Sequence, residues 1–144
     1  PGVLFVVISE VLTPFSLIQE NLVVGAFVYY FIGLVISRFG SLVIEPFLKL
    51  VSFLKFADYA DFISASKTDP KVEAFSEVNN MYRTFTAMFV LLFLLKGYEL
   101  LTIKVEIFNN HTIFILVVVL LVMFLFSYRK QTGYITKRIK ASKS

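Results

Sequence analysis

The chain has 144 residues, 58% hydrophobic and 17% charged, with a mean hydropathy of +0.80; a soluble domain is nearer half apolar with about a quarter charged. A chain this short has no core large enough to hide that surplus, which excludes an ordinary soluble domain and assigns the apolar surface to lipid. With no Cys and one His, disulfide scaffolds, thiol nucleophiles and the usual zinc or iron–sulfur sites are excluded too.

A helix needs roughly 20 residues to cross the ~30 Å hydrocarbon core of a bilayer. The first apolar stretch, 3–18, carries Ser9, Glu10 and Pro14. It is read as a span, with a broken helix or a re-entrant segment whose acid faces a cavity as alternatives. The chain begins at Pro1 without a Met, so residues are expected upstream; no basic n-region or A-x-A site marks a cleaved signal peptide. The second span, 22–38, lies between Glu20-Asn21 and Arg38. Its small residues Gly25, Gly33 and Ser37, with Ser41 beyond, recur at multiples of four. Apart from Tyr29 they leave one face nearly bare for close helix packing, within the chain or between subunits.

In 41–56, Ser41, Glu45, Lys49 and Ser52 fall on one helical stripe amid apolar residues. That pattern predicts an amphipathic helix lying at the membrane surface or packed in a crevice, kinked at Pro46. Asp69-Pro70 then has the chemistry of a helix start, with Asp as cap and Pro at the first helical position. The helix is predicted to run through water over 69–83 and through lipid over 84–103, where Lys96 and Glu99 pair at i,i+3 or snorkel. Asn109-Asn110 predicts a turn. The last span, 111–128, has no polar residue from Ile113 to Phe126 and stops at Arg129 and Lys130.

The formal charge of +4 is confined to the tail 129–144, where Arg129, Lys130, Lys137, Arg138, Lys140 and Lys143 face no acid; the rest of the chain is net −2. The positive-inside rule puts this tail in the cytoplasm and, counting back, gives both termini and 39–83 to the cytoplasmic side of the membrane. The expected fold is all-α and integral to the membrane: one domain, 1–144, with about four transmembrane helices and one amphipathic interfacial helix.

No P-loop, GxGxxG, GxSxG or HExxH motif is present, and no enzyme, metal site or cofactor is expected. His111, in an Asn-Asn-His-Thr turn, reads as a solvated loop histidine. Among the acids in apolar sequence, Glu45 has Lys49 at i+4 as a partner, whereas Glu10 has no nearby base. Both are candidate polar groups of a pore or an intersubunit contact. Asn80, Tyr82 and Arg83 stand where the third span leaves water, and Arg129 and Lys130 emerge at the same level. Such a rim suits an anionic ligand or nucleic acid, with Tyr82 stacking on a base and Arg83 on phosphate. The bland alternative is that these cations only anchor the chain to lipid phosphates. The tail, including Lys137 and Arg138, would attract anionic lipid or single-stranded nucleic acid alike.

The strings Ile36-Ser-Arg-Phe-Gly40, Lys55-Phe-Ala-Asp-Tyr59, Asn79-Asn-Met-Tyr-Arg-Thr84 and Tyr128-Arg-Lys-Gln-Thr132 resemble small multi-span membrane effectors of bacterial anti-phage defence, the channel effectors of Hailong systems among them. The resemblance covers most of the chain through short strings. It implies a homo-oligomeric, tetrameric inner-membrane channel, held closed by a nucleotide-derived DNA oligomer and depolarising the cell on release. It also implies a cytoplasmic nucleotidyltransferase as a partner. Two other functions stay open from the residues: a non-channel membrane anchor or assembly subunit recruiting a cytoplasmic partner, and a small oligomeric transporter.

Overall fold

A computed structural model describes residues 1–105 and 110–143, and every regular element among them is helical. In chain order these are α1 (Gly2–Leu12), α2 (Leu22–Phe39), a π-helical turn (Gly40–Ile44), α3 (Glu45–Leu50), α4 (Tyr59–Thr68), α5 (Pro70–Lys104) and α6 (Thr112–Lys143). Three continuous helices are long and apolar enough to cross a membrane: Leu22–Leu50, Pro70–Lys104 and Thr112–Ala141.

The expected first span is realised as eleven helical residues, which cover about 16 Å, half of a hydrocarbon core. The helix stops where Pro14 forbids helical geometry to its predecessor, and Thr13 is extended at φ −139°, ψ 159°. Residues 13–21 then run without helix into α2, tied back by a 3.1 Å bond from the Gln19 backbone N–H to the Tyr29 hydroxyl. Gly2, Val6, Ser9 and Thr13 form the buried side of α1, spaced four, three and four apart as one helical face requires. The two hydroxyls on that face donate to their own helix, Ser9 to the Val6 carbonyl and Thr13 to the Ser9 carbonyl, each at 2.9 Å. A Cβ at Gly2 would overlap the Tyr29 carbonyl oxygen, so the α1–α2 crossing depends on that glycine.

α2 starts on Asn21, whose side chain accepts from the backbone N–H groups of Val23 and Val24. The expected separate interfacial helix over 41–56 takes another form: the chain continues from α2 through the π-turn into α3 and leaves helix only after Leu50. The π-turn explains how a proline is tolerated there. The Glu45 N–H reaches back five residues to the Gly40 carbonyl, and the widened turn makes room for the ring of Pro46, which would clash in a regular α-helix. Gly40 brings the turn against α5, where an added Cβ would lie 3.1 Å from Ala87 Cβ.

α5 begins as predicted, with the Asp69 side chain accepting from the Lys71 N–H and Pro70 in the first turn. It continues through Gly97 for 35 residues, about 52 Å, so one end extends beyond any hydrocarbon layer. α4 packs on α5. Lys96 and Glu99 pair at 2.7 Å. α6 is continuous through the basic tail to Lys143, so the tail is a helix and its cations are carried on a rod. Of the predicted turn before α6, Asn109 lies outside the described residues.

The core is small. Ile36, Ile44, Ala87 and Met88 are buried together where α2, the π-turn and α5 meet, with Phe5 and Ile8 of α1 against them. α6 lies beside this group, touching α2 through Phe31 and Phe124 with rings 6.0 Å apart and α5 through the Tyr98 hydroxyl donating to Thr112 at 2.9 Å. Most of its apolar surface, Ile113, Phe114, Leu121 and Leu125 included, is exposed, as lipid-facing or subunit-facing helices require.

α3 ends in a Schellman arrangement: Phe53 N–H bonds the Leu48 carbonyl and Ser52 N–H the Lys49 carbonyl, both at 3.0 Å. Ser52 occupies the left-handed position at φ 59°, which costs a residue with a Cβ about 1 kcal/mol. Ser52→Gly is therefore expected to stabilise the fold by about 0.5–1 kcal/mol, read as a higher midpoint of thermal unfolding in detergent micelles; an unchanged or lower midpoint would refute the assigned turn.

Candidate functional site

The chemistry collects at the basic end of the helices, around one carboxylate. Glu45, in the first turn of α3, is 8% exposed. Its Oε1 accepts from Lys49 Nζ one turn later at 2.9 Å, and its Oε2 from Arg83 of α5 at 2.8 Å. Lys130 of α6 holds a third position, with Nζ 3.8 Å from Oε1. Three cations from three helices thus face one acid, a surplus of two positive charges in a half-buried place.

Lys130 is fixed by more than Glu45. Its ammonium donates to both the hydroxyl and the carbonyl oxygen of Ser41. That carbonyl lies five residues before Pro46, the register the π-turn uses, and Pro46 has no N–H to give it. Lys130 therefore supplies from another helix the donor that the proline removes. Around the cluster sit aromatic rings: Lys49 Nζ lies 4.1 Å from the Phe56 centroid and Lys130 Nζ 5.7 Å from that of Tyr134, both within cation–π range. Tyr134 in turn meets Tyr59 of α4 at 6.5 Å.

Two openings flank the cluster. On the α6 side is a crevice of about 10 Å³ between Arg38, Ser41, Ser127 and Lys130, room for a single water; the buried Ser127 hydroxyl has no protein partner there. On the α5 side is a cavity of about 160 Å³, lined by Glu45 and Arg83 and by residues of the 51–58 segment and α5. The Nε of Arg83 is buried without an acceptor.

The candidates named from sequence divide accordingly. Glu45, Arg83 and Lys130 come together, whereas Asn80 and Arg129 are exposed outside the cluster and Tyr82, also largely exposed, lines the larger cavity. Lys137 and Arg138 are exposed farther along α6. Glu10 is exposed on the flank of α1 and pairs with no described base. Gly33 packs against Pro1 and Gly2, and Gly25 against the Tyr29 ring and Gln19, both within the chain; Ser37 is half-buried. Ser41, Lys49, Phe56 and Tyr134 also belong to the site, and no binding role for them follows from the sequence. The four-residue stripe of Ser41, Glu45 and Lys49 was the available signal for the first two. Among the described residues no group of three or more His, Cys, Asp or Glu is placed to hold a metal ion.

Removing the central charge and removing a peripheral one should differ. Glu45→Gln leaves Arg83 and Lys130 half-buried and facing each other, and is expected to cost about 2–3 kcal/mol, short of the fully buried case because both cations retain some water. Lys49→Met, at a side chain 44% exposed, should cost under about 1 kcal/mol. Denaturant unfolding in micelles followed by helix content measures both, and equal losses would contradict a Glu45-centred site.

Comparison with protein-family models, curated proteins and solved structures finds nothing that matches this chain.

Proposed function

We propose that the chain is the subunit of an oligomeric membrane channel, a pore-type effector of bacterial anti-phage defence. In this reading a cytoplasmic anionic ligand, such as a DNA oligomer, holds it closed, and loss of the ligand depolarises the membrane. The observation that carries the reading is the excess of cations around Glu45 where α3, α5 and α6 meet. One carboxylate balances one of three positive charges. A bound polyanion supplies the missing negative charge and keeps the helix ends together. Without it, repulsion between Arg83 and Lys130 drives the ends apart, and at half-buried sites that repulsion is weakly screened.

Lys137 and Arg138 on the helical extension of α6 enlarge the same basic surface toward the cytoplasm, which gives a polyanion several contacts and a salt-dependent affinity. The positive-inside rule sets this orientation in the inner membrane. The broad bare faces of α2 and α6 suit contact with further copies, four in the arrangement the family resemblance implies. In that assembly α1 and the non-helical residues 13–21 together make the fourth crossing, the non-helical part sheltered between subunits, and α1 presents Glu10 to the pore or to a neighbouring subunit, while the segment after Leu50 lies at the interface.

Potassium and proton flux from liposomes carrying the purified chain tests the proposal. Flux is expected without additive and suppressed by short DNA oligomers, with suppression weakening as salt rises. Lys130→Gln should reduce the sensitivity to oligomer at least fivefold, and Glu10→Gln should change conductance or subunit number. Absence of flux from folded, oligomeric protein would overturn the channel reading in favour of a membrane anchor, and saturable, substrate-dependent flux would indicate a transporter.

A further inference from the structure

The 160 Å³ cavity beside Glu45 has a chemistry of its own. Leu48, Phe53, Leu54 and Phe56 supply its apolar lining, and Glu45, Asn79, Tyr82, Arg83 and Thr86 its polar lining, with the Glu45 carboxylate already held by Arg83. Its volume matches an engineered cavity that admits benzene and falls well below the 300 Å³ at which drug-sized pockets begin. A whole nucleotide does not fit, but a few methylenes or a glycerol backbone do. The occupant is therefore a molecule that inserts a short apolar part and keeps its remainder outside.

Its polar requirement comes from Arg83. One terminal nitrogen is engaged by Glu45 at 2.8 Å, while the Nε–H is buried with no acceptor. Lys49 does not line the cavity, but its Nζ lies 4.1 Å from the centroid of Phe56, which does. A phosphodiester at the mouth meets the 23% of the Arg83 side chain that stays exposed and takes up part of the surplus positive charge.

The setting of the cavity identifies the source. The segment that forms its apolar wall also exposes Phe47, Leu50, Val51 and Phe53, with Leu50 82% and Phe53 75% exposed. Four adjacent apolar side chains beside a Lys and an Arg are the composition of a surface sunk into the boundary between acyl chains and headgroups. An exposed patch of this kind marks an interaction surface, and here it borders the one end of the helices where cations gather.

We infer that this cavity is a binding site for one anionic phospholipid, with the headgroup phosphate on Arg83 and Lys49 and the glycerol end of an acyl chain against Leu48, Leu54 and Phe56. The site does not depend on the channel reading, since an anchor or a transporter subunit would hold the same lipid.

The test reconstitutes the full chain in vesicles of equal phosphatidylglycerol and phosphatidylcholine, extracts it in mild detergent, and counts retained lipid by mass spectrometry. Phosphatidylglycerol is expected at least fivefold over phosphatidylcholine, close to one per chain. Leu54→Trp, which fills the cavity, and Arg83→Lys, which keeps the charge and removes the Nε–H, should each lower that retention at least fivefold. A Lys67→Gln, Lys71→Gln double variant removes two exposed cations elsewhere and should leave it unchanged. Helix content by circular dichroism checks folding, and Thr86→Leu replaces Leu54→Trp if the latter does not fold. Equal retention of the two lipids, or retention indifferent to filling the cavity, would overturn the inference. So would displacement of the lipid by ATP or a short DNA oligomer, which would reassign the site to a soluble anion. None of these readouts involves flux, so the channel reading and the lipid site can fail separately.

Discussion

A proline inside an apolar helix sets the architecture of the basic end. Pro46 cannot donate a backbone hydrogen bond, and the half-buried junction beside it leaves room for little water to replace it. The chain answers with a π-turn that makes space for the ring, and with Lys130 of α6 bonded to the carbonyl left without a backbone donor. Bringing an ammonium group there requires a counter-charge, which Glu45 supplies one residue before the proline. Arg83 of α5 then completes the carboxylate. Each step follows from the one before, and the result ties together helices that share little else. α6 in particular touches α2 and α5 through few side chains, so its place is set as much by Lys130 as by packing.

The pairing of α1 with α2 uses a different device. There the helices meet through missing side chains: Gly2 against the Tyr29 carbonyl and Gly33 against Pro1 and Gly2. Lipid tails compete equally for any apolar group, so helices in membranes associate by close approach and by polar contacts. Close approach serves the α1–α2 pair and ion pairing serves the α3–α5–α6 junction. Between them the buried group around Ile36 and Met88 is small, consistent with a chain whose apolar surface faces lipid.

Much of this was legible where the signal is local. The helix start at Asp69-Pro70, the run from Ile113 to Phe126, and the stripe of Ser41, Glu45 and Lys49 all follow from spacing within a turn or two. The length of α3 and the end of α1 did not. Pro46 reads as a kink because sequence gives no warning that a π-turn will absorb it, and Pro14 reads as one interruption beside Ser9 and Glu10 although helix stops just before it. The partners of Glu45 are further from view. Arg83 lies 38 residues on and Lys130 on another helix again; each reads as a cation near a membrane boundary, and no periodicity joins them to an acid. The rigid tail was hidden for a simpler reason: a string of Lys and Arg looks like a flexible coil unless the residues between, such as Tyr134 and Ile135, are seen continuing the register of α6.

That continuity bears on how a basic tail can act at a distance. A flexible tail that captures a polyanion changes only its own average position. A helix in unbroken register from Thr112 to Lys143 carries Lys130, Tyr134, Lys137 and Arg138 on one side, at spacings of four, three and one. A force applied near Arg138 is therefore delivered to Lys130, and through it to the carbonyl of Ser41 and the carboxylate of Glu45. On the proposed function, ligand need not enter the cluster to hold it closed. It has only to neutralise the outer cations of the same rod, lowering the repulsion that Glu45 alone leaves uncompensated. The arrangement ties a surface charge to the junction of three helices with no moving part other than a rigid helix.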